Sequence, residues 1–336
     1  MKYRPLGRTG LEVSLIGLGT MTWGEQNTQD EAHQQLDCAL EAGINFIDAA
    51  EMYPVPPRGE TQGATETIIG HWLAARGNRE QVILASKVTG RSEAMGHIRG
   101  GPRLDRASVL AACEASLARL QTDYIDLYQV HWPDRQTNFF GQLGYVAPQD
   151  DDSVPLAETL GALQELVQAG KVRHVGISNE TAWGAGAYLR LAESGLPRIA
   201  SVQNPYSLLN RSYEIGLAEF ADKEDVGLLA YSPLGFGTLS GKYLDASPPD
   251  ARITLFPRFG RYTGERAVAA TRKYVQIARD AGLDPAQMVD VRENLEHEPG
   301  LLPAIFGFLS EHPEWKVKSC YTNNNGLLVL ERRGGA

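Results

Sequence analysis

Four residues, Asp48, Tyr53, Lys87 and His131, are of types that could jointly move a proton. Asp48 closes the apolar run INFID, Lys87 closes VILASK and His131 closes YIDLYQVH; Tyr53 follows Asp48 in the loop AAEMYP. A phenol ionises at about pH 10 and is a poor acid at neutral pH. A neighbouring ammonium favours phenolate, so Lys87 is expected to lower the pKa of Tyr53, with Asp48 holding that ammonium charged and in position. His131 could donate to a carbonyl oxygen or share the tyrosine's proton. The combination is a general acid aimed at an oxygen that becomes anionic, which is what carbonyl reduction needs when hydride arrives from a cofactor. Each residue also has a plainer reading: a solvated lysine, an aspartate capping a loop, a histidine packed beside Trp132 and Pro133.

For the four to meet, the runs that end in them must lie side by side. Seven short, largely apolar runs recur along the chain: Leu15 to Gly19, Ile44 to Asp48, Val82 to Lys87, Tyr124 to His131, Val172 to Ser178, Ile199 to Gln203 and Gly227 to Ser232. Near-continuous apolar character suits parallel strands covered by helices on their faces. Helical spacing lies between several of them. Val109, Cys113, Leu117 and Leu120 share one face behind Asp105 as N-cap, and Leu156, Leu160, Leu163 and Val167 share another between Pro155 and Gly170. Helices are also expected over residues 30–41, 65–76, 211–223 and 265–281. Strand–helix alternation at this length points to an α/β fold of the (β/α)8 TIM type, whose chemistry sits at the strands' C-terminal rim. The opening YRPLGRTGLEVS reads as a hairpin ahead of the first strand. Long loops after the second, fourth and seventh runs are the expected pocket walls.

The next strand ends are polar in another way. Ser178 with Asn179, Gln203 and Tyr231 could receive a nicotinamide ring and its carboxamide, and the backbone around Ser232, Leu234, Gly235, Ser240 and Lys242 could approach a pyrophosphate. Asn and Gly after strands are also ordinary turn residues. GLGTMTWG does not fit the GxGxxG pattern, which argues against a Rossmann mode. Trp23, Tyr53, Trp132, Phe139 and Phe140 suggest an aromatic-walled substrate pocket; the alternative is that these rings simply pack the loops.

The 336-residue chain is 43% hydrophobic with a net charge of -9. That balance argues against a broad nucleic-acid footprint and against adhesion to an anionic membrane. No run has the length of a membrane span or a signal-peptide core, and Cys38, Cys113 and Cys320 show no metal spacing. The expectation is a cytoplasmic protein with reduced thiols and no metal, its oligomeric state open. The histidines show no paired ligand spacing, which disfavours a metal hydrolase on the same barrel.

With LGLGTMTWGEQN, DAAEMYPVPPRGETQGATE, DLYQVHWP, VGISNET, QNPYSLLNRS and AYSPLGFGTLSGKY in this order, the chain resembles the aldo-keto reductases, in a bacterial branch. The resemblance covers residues 1–288. It implies an NADPH-linked reductase of aldehydes and ketones, with Asp48, Tyr53, Lys87 and His131 as its tetrad and Ser178, Asn179, Gln203 and Tyr231 around the nicotinamide. NADH stays open, because residues 289–336 depart from the family where its 2′-phosphate clamp is expected. That segment reads as a helix followed by a hairpin of KVKSCYT and LLVLER, so the eighth βα unit is expected to be absent or replaced. Two other functions remain open at this stage: a cofactor-binding regulatory subunit with little turnover, and an inactive chimera lacking the adenosine-phosphate clamp.

Overall fold

A computed structural model describes residues 1–280 and 284–285 in full, and the backbone of residues 315–321 and 327–332. Seven parallel strands, β3 (Leu18–Gly19), β4 (Phe46–Asp48), β5 (Ile83–Val88), β6 (Ile125–Val130), β7 (Val172–Ser178), β8 (Ile199–Pro205) and β9 (Gly227–Tyr231), pair in chain order. They form a curled, incomplete TIM-type barrel. Ahead of it, β1 (Tyr3–Pro5) and β2 (Glu12–Ser14) make the antiparallel hairpin expected from the opening residues. Helices α1 (Gln29–Glu41), α2 (Ala64–Arg76), α3 (Arg106–Leu120), α4 (Leu156–Gln168), α5 (Ala182–Ala192) and α6 (Leu217–Glu224) alternate with the strands, and a short α7 (Arg252–Leu255) and α8 (Glu265–Asp280) follow β9.

The helices start where local chemistry directs. Thr28 and Glu31 cap α1 reciprocally, each side chain taking a backbone N–H of the other, and Asp105 caps α3 by accepting from the Ser108 N–H. Residues 211–223 do not form the single helix expected. Gly216, at φ 154°, breaks the stretch into a 3-10 turn over Ser212–Ile215 and then α6. On α2, Gly70 lies against α3 so closely that a Cβ there would stand 2.1 Å from the Arg119 carbonyl oxygen. Only a residue without a side chain permits that approach.

Two-residue alternation along the strands builds the interior in layers. Phe46, Ala85 and Leu127 form a lower apolar layer, closed from below by Leu6 and Val13 of the hairpin. One step up each strand, the inward positions become Asp48, Lys87 and Gln129. Register staggers them slightly: Asp48 is level with Ala85, one inward step below Lys87, while Lys87 is level with Gln129 and Ser178 with Gln203. The alternate, outward residues, among them Ile47, Leu84 and Tyr128, pack under the helices.

Among the described residues the sheet does not close, and no pairing joins β3 to β9. The strands β10 (Trp315–Tyr321) and β11 (Leu327–Arg332) pair antiparallel with each other in a sheet of their own. They therefore do not supply an eighth parallel strand. The helix expected in the C-terminal segment lies outside the described residues.

Candidate active site

Lys87 is the centre of the site. It is fully buried, and its ammonium donates to Asp48 Oδ2 at 2.6 Å, to the Ala49 carbonyl at 2.8 Å and to Tyr53 Oη at 3.4 Å. An ammonium has three hydrogens, and these three acceptors occupy them. Tyr53 Oη therefore accepts from Lys87 and keeps its own hydrogen for another partner. The other carboxylate oxygen of Asp48 accepts from Gln129 Nε2 at 3.1 Å and Gln203 Nε2 at 2.9 Å. Asp48 is thus held on both oxygens, which fixes the ammonium beside the phenol.

Electrostatics at Tyr53 differ from the sequence expectation. Burial raises the phenol above its ordinary value, the Lys87 charge lowers it, and Asp48 raises it again; the net direction is upward. Lys87 thus opposes the cost of burial without overcoming it, because its own positive charge is largely spent on Asp48. Burial alone would lower the Lys87 ammonium, but Asp48 and then Tyr53 raise it, and it stays charged.

His131 completes the group. Its ring stands edge-on to Tyr53 with centroids 5.6 Å apart and packs on Trp132 at 4.8 Å. Its backbone carbonyl accepts from Asn179 Nδ2 at 2.9 Å. Burial first, and the Lys87 charge second, push its pKa well below the usual imidazole value of 6.5. His131 is therefore neutral at physiological pH, a proton donor or acceptor without a net charge. A depressed folded pKa has a definite sign. Below about pH 6.5 the unfolded imidazole takes up a proton that the folded one refuses, so stability is present above that pH and lost as pH falls. Between about pH 7 and about pH 5.5 the native protein should lose about 1 kcal/mol more than His131→Gln in urea denaturation. Parallel losses in the two proteins would contradict a neutral, buried His131.

Asp48, Tyr53 and His131 face one cavity of 920 Å³, and Lys87 is sealed behind Asp48 and Tyr53. Ser178, Asn179, Gln203, Tyr231 and Ser232 line it, as do Trp132, Phe139 and Phe140. Their polar atoms are partly engaged. Ser178 Oγ donates to the Gln203 carbonyl at 2.7 Å, and Tyr231 Oη donates to Asn179 Oδ1 at 2.7 Å. The cavity also runs down the unclosed seam past Leu15, Gly17, Gly227 and Leu228.

Other expected site residues lie elsewhere. Trp23 is fully buried, and its Nε1 donates to Gln35 of α1 at 3.1 Å, so it belongs to the packing alternative and does not wall the pocket. Leu234, Gly235, Ser240 and Lys242 do not line the cavity. Leu234 packs against the core, Ser240 Oγ donates to the Gly237 carbonyl at 2.8 Å, and the Lys242 ammonium lies 5.3 Å from the Tyr243 ring. Several site residues escaped the sequence reading. Gln129 was hidden inside an apolar run, although a glutamine there was itself a signal. Arg252 opens the short α7, and Arg258, Phe259 and Arg261 lie in the turn after it, within the long connection after β9 where spacing says nothing about direction. Arg252 is buried, and burial lowers its guanidinium to about 10, with the phenols of Tyr243 and Tyr53 pulling upward.

The residues present fit a nicotinamide dinucleotide in part. The hydroxyl, amide and phenol side chains beside the tetrad suit a flat ring bearing a carboxamide, and a buried guanidinium on the same cavity suits a phosphate. Among the described residues, no group of histidine, cysteine and carboxylate side chains could hold a metal ion, and no helix is long and apolar enough to cross a membrane.

Residues 15–290 match the model of the aldo/keto reductase family. The chain is 59% identical over 292 residues to Protein tas of Escherichia coli, covering 86% of this chain and 84% of the relative. An uncharacterized oxidoreductase of Bacillus subtilis, YrpG, is 36% identical over 253 residues, covering 74% and 71%. An aldo-keto reductase of Babesia bovis is 42% identical over 213 residues, covering 59% and 75%.

Proposed function

Since the chain belongs to the aldo/keto reductase family, a family of oxidoreductases that act on small carbonyl compounds with a nicotinamide cofactor, we propose that it reduces aldehydes or ketones to alcohols with NADPH and that Tyr53 is the general acid. The observation that carries this reading is the Lys87 ammonium, bonded at once to Asp48 and to Tyr53.

The bound cofactor supplies a hydride to the carbonyl carbon. Everything else falls to the chain. As charge develops on the carbonyl oxygen, Tyr53 gives up its hydrogen to it, and the phenolate left behind faces Lys87. Asp48, held by Gln129 and Gln203, keeps that ammonium from turning away. Neutral His131 can donate to the same oxygen, steadying the substrate without adding charge. Tyr53 then recovers a proton from water, so the cycle consumes one hydride and one proton per alcohol. Ser178, Asn179, Gln203 and Tyr231 are assigned to the nicotinamide end, and Arg252 to a phosphate of the cofactor. Trp132, Phe139 and Phe140 suit an apolar or aromatic substrate body.

The test is consumption of NADPH, followed by absorbance, with a panel of aldehydes and ketones, alongside fluorescence titration with NADPH and with NADH. Carbonyl-dependent consumption supports the reading. Tight cofactor binding without turnover would point instead to a regulatory subunit, and the absence of binding would overturn both.

A further inference from the structure

The chain carries 41 acidic against 32 basic residues, yet two arginines on the catalytic cavity have no carboxylate partner among the described residues. Arg91 on the same cavity pairs with Asp152, and elsewhere Arg99 pairs with Glu51, Arg103 with Asp134 and Arg135 with Glu180. Arg258 and Arg261, both in the loop after β9, instead lie near aromatic rings. The Arg258 guanidinium is 5.1 Å from the Phe259 ring, and that of Arg261 is 5.7 Å from the Phe236 ring. The Arg261 charge is near enough to Tyr231 to oppose the upward push of burial on that phenol, while Arg261 Nη1 is shielded from solvent and finds no hydrogen-bond partner among the described residues. A buried donor without an acceptor costs free energy and stands ready for a ligand that supplies one.

The position of Arg261 favours the substrate side. A Cβ on Gly141 would lie 3.0 Å from Arg261 Nε, so the side chain spans from the β9 loop to the loop after β6. Phe140 in that loop packs on Trp132 at 5.8 Å, and Trp132 packs on His131. The guanidinium therefore stands on the aromatic wall that leads to the tetrad. A planar guanidinium matches a carboxylate with two parallel hydrogen bonds, and an uncompensated cation in a cleft concentrates anionic ligands there.

We propose that the carbonyl substrate carries a carboxylate on an aromatic or apolar body, and that Arg261, with Arg258 beside it at the mouth, is the anchor for that carboxylate. This specificity rests on the reductase reading given above.

The test compares para-formylbenzoate with its methyl ester, which differ in the negative charge, using the full chain and NADPH. The native enzyme should prefer the carboxylate in kcat/KM by about tenfold or more, the effect of a charge-assisted hydrogen-bonded pair. Arg261→Gln should lower that preference about tenfold, mostly through KM, and Arg261→Lys should restore part of it by charge without the fork. Arg258→Gln should have a smaller effect in the same direction. The dissociation constant of NADPH, measured in the same variants, separates the substrate's anion from the cofactor's phosphates. An unchanged preference in Arg261→Gln overturns the proposal, as does a loss confined to NADPH affinity. If neither aldehyde is turned over, the reductase reading fails, and calorimetric titration of the two compounds still decides the anion site. Tighter, Arg261-dependent binding of the carboxylate supports it, and equal binding of both overturns it.

Discussion

Tyr53→Phe should lower kcat for carbonyl reduction by about 10²–10⁴-fold while cofactor affinity stays within about twofold. The substitution removes one hydroxyl and little else. The ring packs in a small cluster with Met52, Val55 and Trp132 that phenylalanine can fill. Lys87 loses its longest hydrogen bond, 3.4 Å, and keeps Asp48 and the Ala49 carbonyl, so the ammonium stays in place. What is lost is the proton that must reach the substrate oxygen. The pH profile supplies a second check. Burial holds the phenol above its ordinary value of 10.0, so Tyr53 stays protonated across the neutral range. Reduction should therefore fall only above about pH 10, where the acid is consumed. Unchanged kcat in Tyr53→Phe would remove this residue as the acid.

Lys87→Met should be costly twice over. The ammonium is fully buried against a carboxylate that is itself 15% exposed. Removing one partner of a buried pair typically costs about 3–5 kcal/mol, because the remaining charge is left uncompensated. Gln129 and Gln203 still donate to Asp48, which puts the expected loss of stability near the lower bound, about 3 kcal/mol. Asp48→Asn combined with Lys87→Met removes both charges and should recover part of that loss in chemical denaturation. In turnover, the phenolate formed at Tyr53 would lose its nearest cation, and kcat should fall by about 10²-fold or more. A Lys87→Met protein as stable as the native one would show that the pair contributes nothing net. A protein equally active would break the link between ammonium and phenol.

The strand ends were legible because alternation and termination are local properties. INFID, VILASK and YIDLYQVH each end in the residue that reaches the rim, and register then sets Asp48, Lys87 and Gln129 close in height. Seven parallel strands in chain order, the opening hairpin and the caps at Thr28 and Asp105 follow from the same local rules. Helix α5 was less visible. Gly184 and Gly186 weaken its helical signal, and Gly184 is there because a Cβ would collide with the Glu180 carboxylate, 2.3 Å away. Trp23 and Trp132 have the same chemistry and opposite positions, one sealed under α1 and one on the cavity wall. Neighbours far along the chain made that choice.

The sequence by itself determined which chemistry the rim could support: a carboxylate, an ammonium, a phenol and an imidazole placed at or just after successive strand ends, on a parallel α/β scaffold. Tertiary structure decided the direction of the Tyr53 pKa, because desolvation depends on everything packed around the ring and outweighs the single cation that the sequence reveals. It also decided that Arg252, Arg258 and Arg261 face the catalytic cavity. A loop's side chains point where long-range contacts hold them, and no local period records those contacts.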